Sequence, residues 1–153
     1  MNNCLNVIGE VDIKLYDKDN NLKTERKVNN LVVSTGLDHI AKRLINAASP
    51  AEMAYMVLGT NNTAVNSGNT LLGSELAGSR LEATRSSATA GKVTYARTFD
   101  PGVATGALVE AGIFNNDQYL GGTMLCRTVF SVIDKGALDT LSISWSITIS
   151  APA

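Results

Sequence analysis

The 153-residue chain is predicted to be mainly β, an antiparallel β-sandwich or jelly roll with one inserted amphipathic helix at about residues 35–47. Three observations predict this class. Leu141, Ile143, Trp145, Ile147 and Ile149 alternate with Ser142, Ser144, Ser146 and Thr148, the period-two pattern of a strand with one buried face. Shorter stretches repeat that alternation between polar, turn-forming segments, as the 13 glycines and 3 prolines suit. Only one stretch changes to the helical period.

Taken in order, Val7, Val11, Ile13 and Leu15 share one parity of a strand through Tyr16, with a phase break that predicts a bulge near Gly9. Asp17 to Asn21 tolerates left-handed geometry and leads into a second strand through Leu22, Thr24, Arg26 and Val28, giving a hairpin. Its charged outer face, with Lys23, Glu25 and Lys27, discourages edge pairing. Leu37, Ile40, Ala41, Leu44 and Ile45 fall on one side of a helix expected to bury that side, with Thr35 as its cap and Pro50 beyond its end. Met53 to Leu58 reads as a buried strand. Thr60 to Thr70 reads as a loop that adds little to the core, and Leu71 to Leu76 as a single helical turn. Arg80 to Arg85, Lys92 to Asp100, Ala107 to Phe114, Leu120 to Ile133 and Leu141 to Ile149 complete the strands.

The chain is expected to be a single domain, 1–153, with a short flexible N-terminal arm, 1–6. At this length a domain buries roughly 68–70% of the surface its unfolded chain exposes, so no staple is needed. Thirteen basic against 14 acidic side chains leave a formal charge of −1, which disfavours nucleic acid or an anionic membrane as partner. Cys4 and Cys126 read as free thiols of a reducing compartment, and the first residues lack a signal-peptide pattern. No stretch approaches the roughly 20 apolar residues of a membrane-spanning helix.

No constellation reads as chemistry, and the expectation is a non-enzyme with no catalytic residue, cofactor or metal. Asp17, Asp19 and Asn21 match the first ligands of a calcium loop, but Leu22 and Val28 stand where its Gly and Glu belong. His39 has no partner for a zinc site or a triad, and Cys126 reads as a packing residue. Glu52, Glu75, Glu82 and Glu110 could supply a hydrolytic pair, yet no spacing brings two together. Ser142, Ser144 and Ser146 form a small, uncharged face that suits either another chain or solvent and this chain's own loops.

An ordered set of words runs through most of the chain: Asn29-Asn30-Leu31-Val32-Val33, Thr35-Gly36-Leu37, Val57-Leu58-Gly59-Thr60, Thr63-Ala64, Leu72-Gly73-Ser74-Glu75-Leu76, Glu110-Ala111-Gly112-Ile113-Phe114 and Gly122-Thr123-Met124-Leu125. In this order they resemble a group of small structural proteins of tailed-bacteriophage virions. The resemblance implies a virion component made in the host bacterial cytoplasm. The first choice is a capsid cement or decoration protein, a homotrimer seated on the major capsid protein; a tail, baseplate or fibre component is the alternative. Under this reading contacts are expected on Asn2 and Asn3 of the arm, on the loop with Asn61 and Asn62 and on the loop 101–106, with the Ser142, Ser144 and Ser146 face a candidate from its small side chains alone. Arg80, Arg85 and Arg97 are candidate charged contacts with an acidic capsid surface, the alternative being solvated strand positions. A carbohydrate-binding module is a further class, disfavoured because Trp145 falls on the apolar parity and only eight aromatic side chains are present, and a glycan array tests it.

Overall fold

The computed structural model describes residues 4–152. Among them are nine strands and one helix: β1 (Asn6–Tyr16), β2 (Leu22–Val32), α1 (Ser34–Leu44), β3 (Tyr55–Gly59), β4 (Leu81–Glu82), β5 (Thr84–Ala88), β6 (Lys92–Phe99), β7 (Gly106–Phe114), β8 (Met124–Lys135) and β9 (Thr140–Ser150). All the pairings are antiparallel, and the strands form one sheet in the order β4-β3-β7-β8-β2-β1-β9-β6-β5.

That order overturns the β-sandwich or jelly roll and makes the fold a nearly closed, nine-stranded antiparallel barrel. Two features close it. Strand β2 pairs with β1 over most of its length, then hands its last residues to β8, Leu31 opposite Arg127 and Val32 opposite Cys126. The strands at the ends of the order, β4 and β5, are separated in the chain only by buried Ala83, whose N–H reaches the Ala54 carbonyl at 2.8 Å. A sandwich would present separate sheet edges; here one bent segment is both edges, so the sheet curls onto itself.

The core lies inside this curl. Val11, Ile13 and Leu15 of β1 face Trp145, Ile143 and Leu141 of β9 pair by pair, and all six are buried. Each such aliphatic side chain is worth about 1.5–3 kcal/mol when withdrawn from water. The bulge expected at Gly9 is absent: β1 stays in register with β9 throughout and shifts against β2 only between Leu15 and Tyr16. Gly9 instead occupies an inward position because the Asn30 amide fills the room beside it. A Cβ on Gly9 would fall 1.3 Å from Asn30 Oδ1, and that oxygen accepts the Trp145 indole N–H at 3.0 Å. The hairpin turn is as expected, with Asp17 Oδ1 accepting the N–H groups of Asp19 and Asn21.

Helix α1 runs from Ser34 to Leu44, and its orientation differs from expectation. Thr35 does not cap it; its hydroxyl donates to the Met124 carbonyl at 2.9 Å. Gly36 lies so close to β8 that a Cβ would come within 2.1 Å of the Leu125 oxygen. This anchoring turns Gly36 and His39 inward and leaves Leu37, Leu44 and Ile45 exposed. The apolar stripe is thus rotated by more than a third of a turn from the buried side.

The segment between β3 and β4 is also not the peripheral loop expected from its composition. It lies across the outer face of β3, β7 and β8, where Leu72 joins Val33, Val57, Phe114 and Met124 in a second, smaller core. Leu71 to Leu76 is a bent segment with no helical turn, bridged to Gly59 through Glu75.

Candidate functional site

Two places concentrate polar chemistry. The first is the clamp that holds the β3–β4 segment. Glu110 on β7 and Arg127 on β8 form a fully enclosed ion pair at 2.8 Å. The Glu110 carboxylate also accepts the backbone N–H groups of Asn61, Gly73 and Ser74 at 3.1, 2.9 and 2.7 Å. The Arg127 guanidinium donates to the Thr63 and Asn61 carbonyls and to Asn69 Oδ1. Gly59 keeps its place because a Cβ there would meet Glu110 Oε1 at 2.4 Å. A second buried pair, Glu75 with Arg80 at 2.8 Å, fastens the far end of the segment. Arg80 also donates to the Asn116 and Gly121 carbonyls and lies 4.2 Å over the Phe114 ring. Charges so enclosed are tolerable only with their partners in place.

The second place is a cavity of about 490 Å³ between α1 and the strands β5, β6 and β9. Its wall is mostly apolar, with Ile40, Met53, Val93, Tyr95, Ile147 and Ile149, and His39, Arg43, Glu52 and Arg85 stand around it. Its volume is that of a small-molecule pocket. Burial, with the positive charges of Arg43 and Lys42 nearby, holds the His39 imidazole below its ordinary value of 6.5. Burial pushes the Tyr95 phenol up to about 12. Arg85 is tied to Glu82 at 3.2 Å and to Glu52 at 3.5 Å. The cavity therefore offers a neutral imidazole, a protonated phenol and paired charges around an oily floor, an arrangement suited to taking up an apolar group.

The residues singled out from sequence do not converge. Asn2 and Asn3 lie outside the described residues. Asn61 is part of the clamp, its Oδ1 accepting the Thr63 N–H, and Asn62 is exposed beside it. Arg80 is spent in the buried pair. Arg85 and Arg97 do come together, at the seam between β5 and β4, where Arg97 donates to the Glu82 carbonyl at 3.1 Å. Ser142, Ser144 and Ser146 line the outer wall of β9; Ser144 and Ser146 border a shallow polar hollow with Glu10, Asp12 and Lys27. Trp145 is wholly buried, which removes it as a displayed sugar platform. Burial raises the Cys126 thiol well above its ordinary value. Among the described residues no group of three His, Cys, Asp or Glu side chains could hold a metal, and no helix is long and apolar enough to cross a membrane.

Sequence reasoning missed Glu110 and Arg127 as a pair. The available signal was a charged residue inside each of two largely apolar strands, Leu108–Phe114 and Met124–Phe130. Protein-family models, curated proteins and solved structures contain no match to this chain.

Proposed function

We propose that this chain is a structural protein of a bacteriophage virion, a capsid cement or decoration protein that self-associates and bridges major capsid subunits. The observation that carries the reading is where the resembling words lie. Val57–Thr60, Leu72–Leu76, Glu110–Phe114 and Gly122–Leu125 are far apart in sequence, yet all of them meet at the clamped wall. Gly59, Gly73, Ser74, Glu75 and Glu110 there form one bonded unit. The resemblance therefore falls on the segments that the buried charges bond together.

The mechanism is passive. The buried ionisable groups Glu75, Arg80, Glu110 and Arg127 are consumed in holding the fold, and no step of a reaction is asked of them. A rigid barrel with long polar connections can instead act by contact, many copies each adding a modest interface and together opposing outward pressure from packaged DNA. Contacts are assigned to the loops and to the Ser142, Ser144 and Ser146 face.

Labelling the protein in purified particles and locating it by electron microscopy tests the proposal. Density over the head lattice supports a cement protein. Density at the tail tip favours a tail, baseplate or fibre component, and absence from particles refutes both.

A further inference from the structure

We infer that helix α1 is a self-association surface whose occupant is the same helix of a second copy, packed antiparallel about a two-fold axis beside Ala41. The inference stands on the structure alone and does not depend on the virion reading.

The starting observation is an inverted helix. Of the apolar stripe only Ile40 packs on the core; Ala41 is exposed, and Leu37 is 49% exposed, Leu44 81% and Ile45 80%. A lone exposed leucine calls for no explanation, but a whole stripe does. The cause lies on the inner side, where Gly36 must abut the Leu125 carbonyl and Thr35 must reach Met124. Those two anchors fix the helix rotation and leave the stripe facing outward.

The charges beside the stripe identify the partner. Asp38 lies toward the helix N-terminus and Lys42 one turn on, paired with each other at 2.6 Å and both half-exposed or more. In an antiparallel helix pair a flank meets its own copy run in reverse, so Asp38 of one chain faces Lys42 of the other, twice. The same operation places Leu37 against Leu44, and small Ala41 at the crossing lets the backbones approach. Both pairings share a centre at residues 40–41, so one axis satisfies the apolar and the charged contacts together. The antiparallel arrangement also sets opposite helix dipoles side by side. A parallel pair would set this flank against the opposite flank of the partner helix and lose this match.

The test is the mass of the full-length protein in solution against concentration, by analytical ultracentrifugation, for the parent and four variants. The parent is expected to form a dimer. Leu44→Glu removes two buried leucines from the interface and should weaken it by roughly 100-fold or more, while thermal stability measured at dilution, where the parent is monomeric, should not fall because Leu44 is exposed in the monomer. Asp38→Lys and Lys42→Asp should each dimerise weakly alone and pair with each other when mixed, a rescue that the intrahelical Asp38–Lys42 bridge cannot produce because neither chain then contains it. Ala41→Cys in a Cys4→Ser background should form a disulfide-linked dimer on mild oxidation. A parent that stays monomeric at millimolar concentration, a dimer indifferent to Leu44→Glu, or a trimer such as the resemblance implies would each overturn the inference.

Discussion

Replacing Arg127 by Met removes the cation from the best enclosed ion pair of the fold while keeping most of its volume. The guanidinium contributes two bonds to Glu110, at 2.9 Å from Nε and 2.8 Å from the terminal nitrogen, and three to the covering segment, at 3.0 Å to Thr63 and 3.3 Å each to Asn69 and Asn61. Without it Glu110 remains buried with three amide donors and no counter-charge. Breaking a buried pair by removing one partner costs about 3–5 kcal/mol, and the retained amides place this case near the lower end. With a urea slope of about 2 kcal/mol/M for a protein of this size, the unfolding midpoint should fall by roughly 1.5 M. Trp145 fluorescence reads the barrel, and hydrogen exchange at Asn61, Gly73 and Ser74 reads the covering segment. Exchange at those amides should accelerate. Adding Glu110→Met to Arg127→Met should recover part of the loss, since no charge is then orphaned, but not all, because the three amides lose their acceptor. A single variant whose midpoint stays within about 0.3 M of the parent, with the three amides still protected, would refute the reasoning.

Gly9→Ala forces a methyl onto Asn30 Oδ1 and should break its bond to Trp145, costing about 1–3 kcal/mol and altering the tryptophan emission. His39 is held below its ordinary value, so below pH 6.5 the unfolded chain takes up a proton that the folded chain resists, and stability should fall as the pH drops from 7 toward 5. His39→Gln should flatten that part of the profile; an unchanged slope by urea titration at each pH would remove His39 as its cause. With a thiol-reactive dye the native protein should label rapidly at exposed Cys4 and at buried Cys126 only on unfolding, read by mass spectrometry of the peptides.

Much of the strand content is legible from alternation alone. The buried parity of Leu141, Ile143, Trp145 and Ile147 follows from a period of two, as does that of Val11, Ile13 and Leu15. The hairpin at Asp17 is equally local, since one carboxylate and two nearby N–H groups build it. The helix shows where local information ends. Its existence between β2 and β3 is written in the spacing of Leu37, Ile40 and Leu44, but its rotation is set by Gly36 against Leu125, a contact across 89 residues. The same holds at the clamp, where Asn61 reads as a turn residue and its role depends on Glu110, 49 positions away.

Composition and periodicity by themselves determined an antiparallel strand former with one short helix, the hairpin turn at Asp17 and the inward faces of β1 and β9. Each of these depends on where a side chain points relative to its immediate neighbours. Only the tertiary structure decided that the sheet closes through the bent segment around Ala83, that a polar loop is sealed over buried charges, and that the helix turns its oily stripe to the outside. Those outcomes arise from contacts between distant segments. Alternation defines which face of a strand is apolar, and it is silent on which strand lies beside it or what covers its other side.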